Sequence, residues 1–559
     1  MKTLTLTLLF LPVAVFIQAA ETVSRENAKT NVVLELKNPA AVLNVNNFKP
    51  YIDAFNADDE ENVRQFYPND KAWDFLSQNM PLFDYPDKEI EKTYYFRWWT
   101  YRKHIKETPD GFIVTEFHPK VYWAGKHNAI SCALGLHFRE GRWLRDSGFL
   151  NDYAVFWLRK GGPIRVYSSW IADSILQHAA VTGNSDLAME LLPDLIKNYE
   201  MWVKEKRDPN GLFWQRDGYD GMEVSAATAI LKTPNHYRAT INSYMFAEAD
   251  AIAKIAKLAG QKEIAGRFHQ EAETIRTLLH TKLWDDEAKF YKVAPRVKNA
   301  DDPVRLVNVR EEHGYTAWYF EALKPPEEYA VAWEQLMDPK GFYAPFGPTT
   351  CEQRSPDFQI SYQGHECLWN GPSWPFATSV TLTGLANEII REKKENADVT
   401  KLKDAYLKTL ECYAKSHRRV REDGKTVCWI DENLNPFNGD WISRTRLKTW
   451  KNGTWDAGKG GYERGKDYNH SMFCDLIITG LIGLRPSDEN KFELFPLVPS
   501  DIDYFAIDNI KYHGHTLAIF WDKDGRRYNR GAGFYVLIDG KEKMKSRQIP
   551  ETPAVIMLD

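Results

Sequence analysis

The stretch LAMELLPDLIKNYEMWVKEK, at residues 187–206, shows the pattern that decides the fold. Its apolar residues recur at three- and four-residue spacing, which places them on one face of an α-helix. The same spacing returns at 243–260, 263–284, 378–392, 404–420 and 471–484. Amphipathic helices repeated in this way predict one large, mainly helical domain that extends from about residue 90 to residue 485.

Similar turns follow several of these helices. DPNGLFW at 208–214, DDEAKFY at 285–291 and DPKGFY at 338–343 each place an acidic turn before aromatic residues. Such turns return the chain between paired helices. Helix pairs repeated around an axis, with aromatic loops at one end, predict an α/α toroid. A long bundle or solenoid is the alternative, but it does not need aromatic-rich loops.

The two ends of the chain differ from this helical part. In residues 486–559, apolar residues either alternate with polar ones or form short continuous stretches, separated by turns such as DKDG and IDGK. This pattern predicts a small antiparallel β-domain. Residues 21–89 mix strand-like and helical stretches. Residues 1–20 contain a positively charged Lys2, then an apolar run, and end in two alanines, which is typical of a signal peptide. A membrane anchor is less favoured because the run is short and contains Pro12. We therefore expect a secreted or periplasmic protein.

The composition excludes several classes of partner. Of 559 residues, 72 are basic and 77 acidic, giving a net charge of −5 without charged clusters, so neither nucleic acid nor an anionic membrane is an expected partner. Aromatic residues make up 13% of the chain, and many of the 19 tryptophans stand beside polar residues. The six cysteines lack metal-binding spacing, and both disulfides and buried free thiols remain open. No metal or cofactor is predicted, and the oligomeric state is left open.

Two segments could supply a pair of catalytic carboxyl groups. Cleavage of a glycosidic bond needs one carboxylic acid as proton donor and a second carboxylate to activate water or attack directly. Residues 211–225 place Asp217, Asp220 and Glu223 close to Tyr219, and crowding beside aromatic rings raises the pKa of a carboxyl group. A solvated acidic loop or a calcium-like turn is the alternative for this segment.

The second segment, at 429–441, carries Asp431 and Glu432 between two tryptophans, and its alternative interpretation is an ordinary turn. A third segment, at 364–375, gathers polar and aromatic residues before a predicted helix that starts with proline. The third segment contributes the candidate sugar contacts His365, Trp369, Asn370 and Trp374.

Two further segments, YYFRWWTYR at 94–102 and EGRWLRD at 140–146, combine flat rings with arginine. Rings can stack on sugar faces while Arg and Asp bind hydroxyl groups, and arginine also fits a carboxylate-bearing sugar. Packing in the core is the alternative for each tryptophan. The candidate contacts from these segments are Arg97, Trp98, Trp99, Arg142, Trp143 and Asp146.

Taken together, these segments resemble glycoside hydrolase family 63 and the related mannosylglycerate hydrolases over residues 208–484. GMEVS at 221–225 is similar to the family's Gly-(Leu/Met)-Asp-Asn-Ser, whose Asp is the general acid, and this correspondence falls on Glu223. WNGPSWP at 369–375 resembles the family's Trp-Arg-Gly-Pro-(Ile/Val)-Trp-Pro. ENLNPFNG at 432–439 resembles the family's Glu-Asn-Tyr-Asn-Pro-x-Thr-Gly, whose Glu is the general base, and this correspondence falls on Glu432. The resemblance implies an (α/α)6 barrel of the six-hairpin type over residues 90–485 and an inverting mechanism.

Two departures separate the chain from that family. Glutamate replaces aspartate at the acid position, which leaves Asp220 as a rival, and Asn370 replaces an arginine. We predict an inverting, exo-acting glycosidase of oligo- or polysaccharides that needs no cofactor. A toroidal polysaccharide lyase acting on uronates and a non-catalytic carbohydrate-binding protein are the alternatives.

Overall fold

The computed structural model describes residues 41–323, 329–360, 367–444 and 461–558. The predicted signal peptide at 1–20, the strand-like stretch at 31–38 and the candidate residue His365 lie outside these ranges. No helix in the described ranges is long and apolar enough to cross a membrane.

The described chain is mainly helical with a C-terminal antiparallel sheet, which confirms the coarse fold prediction. Its helices are α1 Lys49–Ala57, α2 Ala72–Asn79, α3 Lys88–His104, α4 Leu134–Gly141, α5 Gly148–Arg159, α6 Ile171–Thr182, α7 Asp186–Lys206, α8 Ala226–Leu231, α9 Ala239–Leu258, α10 Lys262–Leu283, α11 Thr316–Tyr319, α12 Glu334–Met337, α13 Pro375–Lys394, α14 Thr400–Ser416 and α15 Phe473–Asp475, which continues into a π-helical segment at Leu476–Leu481.

The helices divide into two sets by burial. Helices α3, α4, α6, α9 and α13 are buried on nearly all sides, whereas α7, α10 and α14 bury only one apolar face. Successive contacts link α4 with α6, α6 with α9, α9 with α11, α11 with α13, and α13 with the π-helical segment. Helix α15, which directly precedes that segment, contacts α4 and closes the ring. The amphipathic helices pack outside this closed ring of contacts.

The strands that carry most of the regular pairing lie after the helices. The strands are β1 Leu82–Asp84, β2 Ile105–Thr108, β3 Gly111–Val114, β4 Trp214–Arg216, β5 Asn235–Tyr237, β6 Trp284–Asp285, β7 Phe290–Tyr291, β8 Ala294–Pro295, β9 Arg418–Val420, β10 Thr426–Cys428, β11 Leu484–Pro486, β12 Lys491–Leu494, β13 Tyr504–Tyr512, β14 His515–Asp522, β15 Gly533–Ile538, β16 Lys541–Ser546 and β17 Ala554–Met557.

The C-terminal strands form a five-stranded sheet in the order β1-β13-β14-β15-β16 and a three-stranded sheet in the order β11-β12-β17. Strand β1 comes from the N-terminal region and pairs with β13. The two ends of the described chain are also joined by side chains, since Asp84 pairs with Arg527 at 2.7 Å and Asp508 accepts the backbone N–H groups of Val42 and Leu43. The N-terminal region therefore completes the C-terminal sheet.

Gly483 makes the connection between the last helical segment and strand β11. Its φ is +78°, and a Cβ added there would lie 1.9 Å from the carbonyl oxygen of Phe495. Gly540 has a similar φ of +75°, but a Cβ there would meet nothing within 4 Å. Of these two glycines, Gly483 alone combines a left-handed backbone with a steric limit.

Replacing these two glycines with alanine should separate the two effects. Gly540→Ala should lower the free energy of unfolding by about 1–2 kcal/mol, since it only forces alanine into the left-handed region. Gly483→Ala should lower it by about 3–5 kcal/mol, because overpacking against backbone is added. Urea denaturation of both variants measures the difference, and equal losses would contradict the tight connection.

Candidate active site

A cavity of about 380 Å³ opens among loops that follow the buried helices and strands. Four segments supply most of its lining: loop A (216–225), loop B (367–375), loop C (430–435) and loop D (464–470). A fifth segment, 116–123, supplies four more residues, and Ile130, Cys132, Tyr167 and Phe376 complete the wall.

Backbone hydrogen bonds join these segments to one another. The Trp369 N–H donates to the Val224 carbonyl at 2.8 Å, which ties loop B to loop A, and Ser373 exchanges two bonds of 3.0 Å with Leu434 of loop C. The Asn469 N–H of loop D donates to the carbonyl of Glu116 at 3.2 Å. The side chains that face the cavity are thus carried on a connected backbone rather than on independent loops.

Six of the residues predicted from the sequence line this cavity. They are Tyr219, Asp220, Glu223, Trp369, Trp374 and Glu432. The two tryptophans stack on each other with ring centroids 4.1 Å apart, and Trp369 donates its indole N–H to Glu223 Oε2 at 3.2 Å. Both candidate catalytic glutamates therefore face the same cavity beside an aromatic wall.

Asp217 fixes the conformation of loop A from behind. Its buried carboxylate accepts hydrogen bonds from Ser225 at 2.7 Å, His236 at 2.7 Å and Arg238 at 3.0 Å, and Arg238 also pairs with Glu311. Burial alone would raise the pKa of Asp217, but Arg238 and the hydrogen bond from His236 lower it to about 2. Asp217 is therefore a permanently charged anchor and not a proton donor.

Glu223 is the carboxyl group best suited to donate a proton. Burial raises its pKa, and the nearby carboxylates of Glu432 and Glu116 raise it further, to about 8. A carboxyl with that pKa keeps its proton at neutral pH, as a general acid requires. The loop turns towards the cavity at Gly221, whose φ of +82° is the left-handed conformation that glycine adopts readily.

Asp220 lies in the same cavity as a second protonatable group. Burial raises its pKa, and the Thr240 hydroxyl donates to Oδ2. Its other oxygen, Oδ1, has no hydrogen-bond partner within the described residues. Asp220 can therefore bind a hydroxyl group of a ligand.

Glu432 is held by an arginine from loop D. Oε1 accepts Arg464 Nε at 3.1 Å and Nη2 at 3.0 Å, and the Cys367 thiol donates to Oε2 at 3.7 Å. An ion pair favours the charged state of both partners, so Glu432 differs from Glu223 in carrying a compensated negative charge. The two carboxyl groups thus have the opposite environments that an acid and a base need.

Burial contradicts most of the sugar contacts predicted on 94–102 and 140–146. Trp98 lies in the core, Trp99 lines a different cavity, and Trp143 donates its indole N–H to Asp475 at 2.7 Å. The first segment lies within α3 and the second begins at the end of α4. Both helices are buried on nearly all sides, so polar neighbours in the sequence do not indicate a surface there.

The polar candidates of those segments are also engaged elsewhere. Arg142 pairs with Asp475 at 2.7 Å, and exposed Asp146 accepts the N–H of Gly148. Arg97 is fully buried and donates to Asn469 Oδ1 at 3.1 Å, so it supports loop D from behind instead of contacting a ligand. Asn370 of loop B points away as well, since its side-chain amide donates to the carbonyl of Asp357 at 3.2 Å.

The sequence interpretation missed several residues that line the cavity. They are Glu116, Phe117, Tyr122, Trp123, Ile130, Cys132, Tyr167, Arg216, Cys367, Phe376, Arg464, Tyr468 and His470. The stretch EFHPKVYW at 116–123, an acid followed by aromatic residues, resembles the segments that were noticed and could have been singled out on the same grounds. All six cysteines lie in the described ranges and are free thiols.

A family model described as the mannosylglycerate hydrolase MGH1-like glycoside hydrolase domain matches residues 126–471, more than half of the chain. The chain belongs to this glycoside hydrolase family. A second model, the C-terminal domain of glycosyl hydrolase family 65, matches residues 484–543 of this glycoside hydrolase, within the C-terminal strands. The sequence resemblance to mannosylglycerate hydrolases is thereby confirmed.

Solved structures add a comparison of fold. A protein named sialidase is 38% identical, with a TM-score of 0.81, over 93% of this chain and 45% of its own, so this chain spans less than half of that protein's length. The GH63 mannosylglycerate hydrolase from Thermus thermophilus in complex with glucose is 13% identical, with a TM-score of 0.48, over 69% of this chain and 99% of its own. The GH78 rhamnosidase from a Bacillus species is 13% identical, with a TM-score of 0.48, over 79% of this chain and 40% of its own.

Replacing each of the two aspartates of loop A with asparagine should change the stability of the protein by very different amounts. Asp217→Asn should lower the free energy of unfolding by about 3–5 kcal/mol, because it leaves buried Arg238 without one of its two partners. Asp220→Asn should change it by less than about 1 kcal/mol, because Asp220 forms no ion pair with Arg238 and burial raises its pKa, so less stability depends on its charge. Urea denaturation at pH 7 compares them, and a larger loss for Asp220→Asn would show that the roles are reversed.

Proposed function

We propose that this protein is a secreted or periplasmic, inverting and exo-acting glycosidase of an oligo- or polysaccharide, built on an (α/α)6 toroid. The observation that carries the proposal is the pair Glu223 and Glu432, one with a pKa raised to about 8 and the other bound to Arg464, in a single aromatic-lined cavity. The closed ring of buried helices supports the toroid, and residues 1–20 support export.

In this mechanism Glu223 donates its proton to the glycosidic oxygen as the bond to the anomeric carbon breaks. Glu432 accepts a proton from a water molecule, whose oxygen attacks the anomeric carbon from the opposite face and inverts its configuration. The reaction leaves Glu223 ionised and Glu432 protonated, and exchange with solvent restores both groups. Their carboxyl groups are expected to lie ~6.5–9.5 Å apart, the separation that leaves room for water.

The size and walls of the cavity support action at a chain end. A volume of about 380 Å³ is at the small end of ligand sites, which favours one terminal sugar over an extended polymer. Trp369 and Trp374 offer flat faces, and Asp220 offers a carboxyl oxygen for a hydroxyl group.

Amide variants of the two glutamates test the proposed roles. Glu432→Gln should lower kcat by about 10²–10⁴-fold with every leaving group, since the base acts on water. Glu223→Gln should lower kcat similarly for natural glycans but much less for 2,4-dinitrophenyl glycosides, whose leaving group needs no proton. The substrates are plant and microbial glycans together with aryl glycosides of pentoses, hexoses, deoxyhexoses and sialic acid. The control variant is Glu263→Gln, on the exposed face of α10.

Release of an unsaturated uronate that absorbs ultraviolet light would instead identify a lyase. If Glu432→Gln released sugar as fast as the wild type does, Glu432 could not be the base.

The activity should also fall as the pH rises through about 8, because Glu223 must be protonated to act. Glu116→Gln removes one of the negative charges that raise the pKa of Glu223, so the basic limb of the pH profile should move to lower pH. The profile of kcat/KM against pH measures both effects. A basic limb that stays in place in Glu116→Gln would contradict the electrostatic coupling.

A further inference from the structure

Glu116 is a carboxylate of the cavity that the proposed reaction does not use. Its side chain is only 5% exposed, and the Tyr468 hydroxyl donates to Oε1 at 2.8 Å. Its backbone carbonyl accepts the N–H of Asn469, so the residue is fixed to loop D. Oε2 has no hydrogen-bond partner within the described part of the chain.

His470 lies directly beside this carboxylate. It is 3% exposed, and neither ring nitrogen has a hydrogen-bond partner among the residues that the structure describes. Nε2 lies 3.2 Å from Glu116 Oε1, but the two groups are not aligned for a hydrogen bond. The ring is held between Tyr468, at 4.1 Å, and Phe376, at 5.4 Å.

Unsatisfied polar groups in a buried position are unusual. A buried donor or acceptor without a partner destabilises a protein by about 1–3 kcal/mol, and native structures contain few of them. Here one carboxylate oxygen and one imidazole lie side by side without a hydrogen bond from the described residues, although Nε2 of the ring approaches the other carboxylate oxygen to 3.2 Å, and both residues line the cavity. A ligand with neighbouring hydroxyl groups would satisfy both groups at once.

We propose that Glu116 and His470 form a clamp that binds two adjacent free hydroxyl groups of the substrate's terminal sugar. Glu116 Oε2 accepts a hydrogen bond from one hydroxyl, and a ring nitrogen of His470 bonds the next. The clamp rests on the proposed function and narrows it to glycosides whose terminal sugar carries two unsubstituted neighbouring hydroxyls. Sugars that are deoxygenated or substituted at either position are excluded.

Tyr468 is the positioning residue of this clamp. It bonds Glu116 Oε1, packs against His470, and its ring lies 5.1 Å from that of Phe117. Because its hydroxyl donates to Oε1 of Glu116, Oε2 is the carboxylate oxygen that can accept a hydrogen bond from a ligand. Tyr468→Phe should therefore weaken sugar binding without removing the carboxylate.

The test measures binding, so it does not depend on hydrolysis. Trp123, Trp369 and Trp374 line the cavity and report its occupancy through their fluorescence. The probes are L-arabinose, L-rhamnose, D-mannose, D-glucose and D-galactose, each with its available 2-deoxy and 3-deoxy counterparts. The proteins are the wild type, Glu116→Ala, the isosteric Glu116→Gln and the control Glu263→Gln.

The wild type and Glu263→Gln should bind at least one sugar about 10- to 100-fold more tightly than one of its deoxy counterparts, the effect of a hydrogen bond to a charged group. Glu116→Ala should bind the sugar as weakly as it binds the counterpart that lacks the hydroxyl contacted by Glu116, and Glu116→Gln should keep part of that preference. Near-ultraviolet circular dichroism checks that each variant is folded.

The clamp is overturned if the wild type binds none of the five sugars, or if it does not discriminate against any deoxy sugar. It is also overturned if Glu116→Gln and Glu116→Ala are folded and both discriminate as the wild type does. Hydrolysis without discrimination would overturn the clamp while the proposed function stands. Discrimination without hydrolysis would support the clamp and remove the proposed function.

Discussion

Burial of Glu223 in one cavity with two other carboxyl groups is the constraint on which the site depends. Glu432 has its charge compensated by Arg464, while Glu116 accepts a hydrogen bond from the neutral Tyr468 hydroxyl and lies 3.2 Å from His470 Nε2. Glu223 therefore faces two negative neighbours as well as burial, and its pKa rises to about 8. Burial first and the neighbouring charges second keep the proton on Glu223, while Arg464 compensates the charge of Glu432, so a single cavity can contain both an acid and a base.

This arrangement requires loops that cannot separate. Like charges would move apart if each loop were free, but backbone hydrogen bonds tie loop A to loop B and loop B to loop C. Behind loop A, the buried group of Asp217, Arg238 and Glu311 holds the segment that carries Glu223. The closed ring of buried helices provides the rigid base from which these loops extend.

The sequence predicted those parts of the molecule that depend on local pattern. Amphipathic spacing identified helices such as α7 and α10, and Glu223, Glu432, Trp369 and Trp374 were found through local composition and family motifs. Trp98 was misassigned because helix α3 is buried on nearly all sides and has no polar face to mark its surroundings, and Trp143 because it lies in a buried turn directly after α4. Glu116 was missed because it approaches loop D only in space, more than 300 residues away in the chain.

The most direct test of the account is the protonation state of Glu223, because it does not require a known substrate. Infrared difference spectra between the wild type and Glu223→Gln isolate the carbonyl stretch of this one acid from those of other buried carboxyl groups. The account predicts a protonated-acid band at pH 6.5 that disappears as the pH rises through about 8, with a carboxylate band in its place. A carboxylate band already present at pH 6.5 would show that Glu223 is ionised and cannot be the proton donor.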